Sequence, residues 1–237
     1  MGVVPPFLSE YAMSDFRPLF RLQVGKQLVL ASGSPRRQDF LREWGLPFSV
    51  VRPHGVEPHP VPGQTPLDYA VCAARAKAQA AWQGLDDASR KCSVVLAADT
   101  IVAIDNRILG KPDNEADALA MLVSLAGKVH DVITAVCLVA ADDGNAMASQ
   151  REICFSDTAK VHFHAWPRDV LAAYVATHEP DDKAGAYAIQ GQGAFLVERV
   201  EGSWSTVVGL PLTPLARQLI ELGVMMPVTT SPDNQAK

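Results

Sequence analysis

No apolar run in the chain approaches the roughly 18 residues that a membrane-spanning helix needs. The opening stretch MGVVPPFLSEYAMSDF has no charged n-region and no sustained apolar segment, so it does not read as a signal peptide. Pro6 breaks the myristoylation pattern. A basic surplus is missing as well. Lys plus Arg total 21 against 26 Asp plus Glu, and the net charge of −5 would repel a nucleic-acid backbone at long range. Cysteine is sparse: Cys72, Cys92, Cys137 and Cys154 are spaced by 20, 45 and 17 positions, without a C-x-x-C pair. That spacing reads as neither a zinc arrangement nor a disulfide framework, and it fits a reducing, cytoplasmic setting. Gly (16) and Pro (17) are too few for a collagen-like or low-complexity chain. Neither a G-x-x-x-x-G-K-[ST] phosphate loop nor a G-x-S-x-G elbow occurs. Gly191-Gln192-Gly193 lacks the third glycine of a dinucleotide loop and reads as the opening of a strand. His162 and His164 share one strand face and read as surface chemistry.

What is present is an ordinary globular composition. Apolar residues make up 48% of 237 and charged residues 20%, which excludes intrinsic disorder. Surface scaling predicts roughly 72% of the unfolded chain's area buried on folding, ample for one core. Short apolar runs alternate with capped, amphipathic segments. LVLAS (28–32) reads as a buried strand. Ser34-Pro35 opens a helix that Gly45 closes, and Thr65-Pro66 opens another that Gly84 stops, with Asp68 completing a capping-box-like start. VVLAADTIVAI (94–104), a turn at Asp105-Asn106, a helix over about 114–125, then strands at 131–140 and 152–163 follow. A helix starts near Pro167, GAFLVERV and WSTVVGL read as strands joined across Glu201-Gly202, and Thr213-Pro214 opens the last helix. The order predicts an α/β fold around a mixed, twisted sheet with flanking helices. Residues 1–25 and 226–237 carry no core pattern. They read as a flexible extension and tail around a domain at 26–225.

The chemistry gathers at four places. ASGSPRR (31–37) leaves a strand, turns through Gly33 and enters a helix carrying Arg36 and Arg37 in its first turn. Cations there oppose the helix dipole by about 0.3–1 kcal/mol each, a conflict that an anion bound at the free N–H groups would offset. AADT (97–100) sets Asp99 in an apolar strand, where a carboxylate calls for a partner, a metal or a catalytic role. GKP (110–112) fixes Lys111 in a loop. On the 66–83 helix, Leu67, Ala70, Val71, Ala74, Ala78 and Ala81 define the expected buried stripe, with Arg75 and Lys77 on its borders.

These residues carry a resemblance. ASGSPRRQDFL (31–41), AADTIV (97–102), GKP (110–112), HDVITA (130–135), DKAGAYAIQG (182–191) and VVGLPL (207–212) are similar, in order, to the motif series of the Maf-like nucleotide pyrophosphatases. The resemblance implies a single elongated α/β domain with a central cleft, related to the inosine triphosphate pyrophosphatase group. It also implies hydrolysis of a nucleoside triphosphate to monophosphate and pyrophosphate with a divalent cation, Mg or Mn, and a cytoplasmic, homodimeric habit.

Residue by residue, the resemblance makes Asp99 the proton acceptor and associates Arg36, Thr100 and Gln190 with substrate choice. Ser34, Arg37, Lys77, Lys111 and Lys183 match polar or basic pocket positions that meet phosphates, and Glu57 matches an acidic position linked to metal. The chain departs from the pattern at Pro58, where relatives often carry a second acid, and at Ala76, where a glutamate is frequent. Thr100, rather than glutamine, after Asp99 resembles the dTTP/UTP branch. Gln190 offers one donor and one acceptor, which fits the N3–H and O4 edge of uracil or thymine, and a flipped amide would equally fit cytosine. Two alternatives stay open. One is a non-catalytic nucleotide-binding regulator of cell division; the other is a phosphatase releasing orthophosphate.

Overall fold

A computed structural model describes residues 17–53, 58–142 and 150–228. The apolar runs form a seven-stranded mixed sheet. Its strands are β2 (Gln27–Leu30), β3 (Ser49–Val50), β4 (Ser93–Ile104), β5 (Arg107–Leu109), β6 (Val129–Ala141), β7 (Gln150–Phe163) and β8 (Val197–Glu201). The spatial order is β3-β2-β4-β6-β7-β8, and β5 pairs with β4. β2 runs parallel to β3 and β4, whereas β4, β6, β7 and β8 pair antiparallel in turn. The mixed α/β expectation holds. Asp105 and Asn106, at φ 50 and 63, form the two-residue turn that returns β4 onto β5.

Side-chain alternation along β4 sorts the core into three parts. Val95, Ala97 and Ile101 face α2 (Pro66–Gln83), which offers Ala70, Ala74, Ala78 and Ala81 and so lies close on the sheet. On the opposite face, Val94, Leu96 and Ala98 pack with α1 (Pro35–Glu43) and α7 (Leu212–Glu221). Val102 and Ile104, further along the same face, pack with α4 (Glu115–Leu125) and α5 (Arg168–Val175). Thr100 falls at the seam between these two clusters. A short α3 (Asp87–Cys92) and α6 (Trp204–Val208) complete the helices of the described residues.

Most caps lie where the sequence puts them. Thr65 accepts from the Asp68 N–H, and Gly84 is the C-cap of α2. Leu67 departs from the expected stripe and is 42% exposed. Its Cα–Cβ bond in the first turn tilts toward the helix N-terminus and carries the side chain past the packed face.

Three readings are corrected. WSTVVGL is not a strand: residues 204–208 form α6, ended by Gly209 at φ 124. The β-branched residues favour a strand, but tertiary bonds to this turn prevail, with the Thr206 carbonyl accepting from Thr134 and the Ser205 hydroxyl from the Leu212 N–H. Gly191-Gln192-Gly193 opens a 3-10 turn over Gly191–Leu196 instead of a strand. The extension and tail also differ, because β1 (Phe20–Leu22) pairs antiparallel with β9 (Met225–Pro227). Met225 is 1% exposed, and Phe20 and Leu22 pack on the core. Each strand alone is too short to show periodicity; the pair is stable because it covers the α1–α7 cluster.

His162 and His164 have local partners. The His162 ring meets Glu201 and Arg199, and His164 packs on Trp166.

Candidate active site

One edge of β4 changes partner part-way along. β2 pairs with it as far as Leu96, and β5 takes over from Val102. Between them the edge is open, and the β2–α1 turn folds over the gap, with the Ala31 N–H donating to the Leu96 carbonyl at 2.8 Å. A crevice where a strand neighbour switches at the end of a parallel strand is the expected ligand site of an open α/β sheet. Here it is a cleft of about 460 Å³.

Because this edge of β4 is open while β6 holds the other, side chains from both faces of the sheet reach the cleft. Asp99, on the α2 face, accepts from Lys77 Nζ at 2.6 Å, with the two side chains 14% and 16% exposed. Thr100, on the other face, belongs to a hydrogen-bond chain. Arg37 Nη2 donates to Thr100 Oγ1 at 2.9 Å, and Thr134 Oγ1 donates to the Thr206 carbonyl at 2.7 Å. The Thr134 proton is thereby committed, so at 2.9 Å it is Thr100 that donates to Thr134. Thr206 in turn donates its hydroxyl proton to Asp157.

Six cationic side chains, Arg36, Arg37, Arg52, Lys77, Lys111 and Lys183, line the cleft, against two acids, Asp99 and Asp182. In a chain of net charge −5 this local surplus is the physical signature of a polyanionic ligand of small size. The cations divide into two groups. Arg37 is a strut: Nε donates to the Gly209 carbonyl at 2.8 Å, and Nη1 donates to Ser32 at 3.1 Å and to the Ala98 carbonyl at 2.8 Å. Burial holds its pKa below the usual arginine value, with Asp99 opposing the shift and Arg36 adding to it. Lys183 donates to the Glu179 carbonyl and to Asp182, both at 2.6 Å. By contrast Arg36, Arg52 and Lys111 make no hydrogen bond or ion pair among the described residues. They are the cations free to meet an anionic ligand. Ser34 sits at the N-cap of α1 without a side-chain capping bond, which leaves first-turn N–H groups facing the same space.

The family described as Maf-like protein matches residues 27–222, most of the chain. The chain belongs to this family. A dTTP/UTP pyrophosphatase of Oleidesulfovibrio alaskensis is 50% identical over 201 residues, covering 84% of this chain and 87% of that protein. One of Nitratidesulfovibrio vulgaris is 48% identical over 198 residues, with 84% and 89% covered. One of Methylobacillus flagellatus is 43% identical over 203 residues, with 86% and 96% covered.

In this Maf-like chain the structure gathers Ser34, Arg36, Arg37, Lys77, Asp99, Thr100, Lys111 and Lys183 around one cleft. Gln190 stands one residue beyond the lining, next to Ile189, at the N-cap of the 3-10 turn. Glu57 lies outside the described residues. Arg37 is placed in the wall by its intramolecular bonds, which explains why its neighbour Arg36, turned about 100° around the helix, is the one left free.

Two residues escaped the sequence reading. Arg52 follows β3, a two-residue strand with no visible pattern, and its side chain lies over Gly33, where a Cβ would come within 3.3 Å of Arg52 Nε. Glu179 holds the loop after Gln190, accepting from the N–H groups of Gln192 and Gly193 at 2.9 Å and from the Tyr174 hydroxyl at 3.0 Å. Partial burial works against that carboxylate, but these donors outweigh it and hold its pKa below the usual range.

Proposed function

We propose that the protein hydrolyses dTTP and UTP to the nucleoside monophosphate and pyrophosphate, as part of keeping the nucleotide pool clean. The observation that carries this reading is the cleft, which three uncommitted cations and a helix N-terminus line together with the carboxylates of Asp99 and Asp182. The names of the relatives supply the substrate class.

Phosphoanhydride hydrolysis needs little covalent help from a protein. It needs the phosphate charge neutralised and a water placed in line. Arg36, Arg52 and Lys111 neutralise the β- and γ-phosphates, and the α1 N–H groups add donors. Asp99 keeps one oxygen on Lys77 and offers the other to the attacking water, whose proton it accepts as the α–β anhydride opens. Lys77 holds the Asp99 carboxylate in place. Gln190, next in the chain to the cleft-lining Ile189, is the residue we assign to reading a pyrimidine edge.

The carboxylate oxygens of Asp99 and Asp182 are hard donors and fit Mg²⁺ or Mn²⁺, while Glu57, the acid that the family resemblance links to metal, lies outside the described residues. Such an ion, when bound, would neutralise phosphate charge and lower the pKa of a water. A cytoplasmic location and a homodimer belong to the same reading.

The test is a panel of nucleoside triphosphates with Mg²⁺ or Mn²⁺, scored for pyrophosphate and orthophosphate separately. Pyrophosphate from dTTP and UTP, with purines poor, is expected. Asp99→Asn should lower turnover by about 10²–10⁴ with the fold intact. Gln190→Ala should lower kcat/KM for UTP by about 5- to 160-fold while changing purine triphosphates far less. Orthophosphate as the first product would indicate a phosphatase. Tight nucleotide binding without turnover would indicate a regulator.

A further inference from the structure

Outside the cleft, the β6–β7 hairpin brings together residues that sequence spacing keeps apart. Cys137 stands directly opposite Cys154 in the antiparallel register. Glu152, two positions before Cys154, shares its face of the sheet, the one covered by α2. Cys137 is fully buried, and Cys154 and Glu152 are half-buried. One sulfur from each cysteine and one carboxylate oxygen all lie within 4.8 Å of one another.

We propose that Cys137, Cys154 and Glu152 form a binding site for a thiophilic divalent cation, with Zn²⁺ the best chemical fit. Two sulfurs and an oxygen are the wrong donors for Mg²⁺ and the right ones for zinc. A tetrahedral ion with Zn–S bonds of about 2.3 Å sets its sulfurs about 3.8 Å apart. The sulfurs, no more than 4.8 Å apart, therefore have to close by at most about 1 Å, within reach of a χ1 adjustment at half-buried Cys154.

The surroundings are built for the carboxylate. Arg75 Nε, from α2, donates to Glu152 Oε1 at 2.7 Å, and Gln79 Nε2 donates to Oε2 at 2.6 Å. Gln79 is itself fixed by Gln150, whose Nε2 donates to Gln79 Oε1 at 3.0 Å. The Cys154 thiol also donates to Glu152 Oε1 at 3.8 Å, a bond given up when that thiol loses its proton, after which each carboxylate oxygen has a lone pair for an ion. Partners of this kind orient a metal ligand from behind and raise affinity.

Charge closes as well. Two thiolates and a carboxylate carry −3, a divalent ion restores +2, and Arg75 supplies the remaining +1 in a place where uncompensated charge is costly. Binding the ion takes the proton from each thiol, and both leave to solvent as the metal enters. A water would complete the four-coordinate shell.

The site is separate from the cleft, and the two metals differ in kind, which makes the test clean. Chelator-treated full-length protein, kept reduced by a phosphine, is titrated with Co²⁺ and then with Zn²⁺. One equivalent of Co²⁺ should give a thiolate-to-cobalt charge-transfer band in the near ultraviolet that Zn²⁺ bleaches. Cys154→Ser should abolish the band, and Glu152→Gln should weaken Co²⁺ binding at least about tenfold. Asp99→Asn, which disables the cleft, should leave the band unchanged. Absence of the band in the wild type, its persistence in Cys154→Ser, or its loss in Asp99→Asn would each overturn the proposal. Cys154 is half-buried, so its serine variant folds, and a thermal melt of that variant checks this directly.

Discussion

Asp99 announces itself because a carboxylate in an apolar strand needs a partner, and Lys77 is that partner. Arg36 and Arg37 look alike in sequence, yet only the fold shows that one is a wall strut and the other a free cation. Cys137 and Cys154 are 17 positions apart in a pattern that suggests no metal, and only the strand pairing of β6 and β7 makes them neighbours. His130 gives a prediction at this scale. Its ring is 2% exposed, packs edge-on to Phe163 and Tyr187, and places Nε2 2.9 Å from the Tyr187 hydroxyl. Burial lowers its pKa from 6.5 to about 4, Asp131 opposing and His162 adding. Between those values the unfolded chain binds more protons than the native one, so stability falls as pH is lowered through that window. The loss approaches about 3 kcal/mol once pH reaches the folded value. Thermal melts across pH 4–7 should show a steeper acid loss for the wild type than for His130→Gln, which cannot titrate. Parallel curves would refute the buried neutral imidazole.

Elements were legible where the signal is local. Caps at Thr65-Pro66 and Gly84 depend on a few adjacent residues, and α2 forms between them. Residues 204–208 were misread because their β-branched side chains favour a strand, while the bonds that fold them into α6 come from Thr134 and Leu212, far away in sequence. The loop between α5 and the 3-10 turn shows what such an element does for the site. Gly185, at φ 69, donates its N–H to the Gly110 carbonyl at 3.0 Å, joining the Lys183 loop to the Lys111 loop. A Cβ there would come within 2.9 Å of Val102, on the strand that carries Asp99. Gly185→Ala therefore combines left-handed strain with a core clash and should cost about 1–3 kcal/mol, or about 2–12 °C in melting temperature. Because both lysines move with this loop, KM for the triphosphate should rise more than kcat falls. A variant with wild-type KM would show that the two loops hold their lysines independently.

At the scale of the whole molecule, the described ends of the chain are fastened to each other, which composition could not reveal. β1 and β9 are three residues each, and neither alone carries a readable period. Paired, they register Phe20 with Pro227 and Leu22 with Met225. Bonds from the Gln23 N–H to the Val224 carbonyl at 2.9 Å and from the Val228 N–H to the Leu19 carbonyl at 3.0 Å extend the ladder. The Phe20 ring meets Trp44 edge-on at 5.5 Å, just beyond the end of α1, so the clasp lies against the helix whose other end faces the cleft. Met225 is 1% exposed, and uncovering a side chain of that size costs about 2–5 kcal/mol. A chain spanning 26–224 should therefore melt about 4–20 °C below one spanning 17–228. Neither strand lines the cleft, so nucleotide turnover well below the melting point should stay close to that of the longer chain. Equal melting temperatures would mean that the two strands only rest on the core. A large loss of turnover at low temperature would mean that the clasp sets the position of α1, and through it of Arg36 and the free N–H groups at its start.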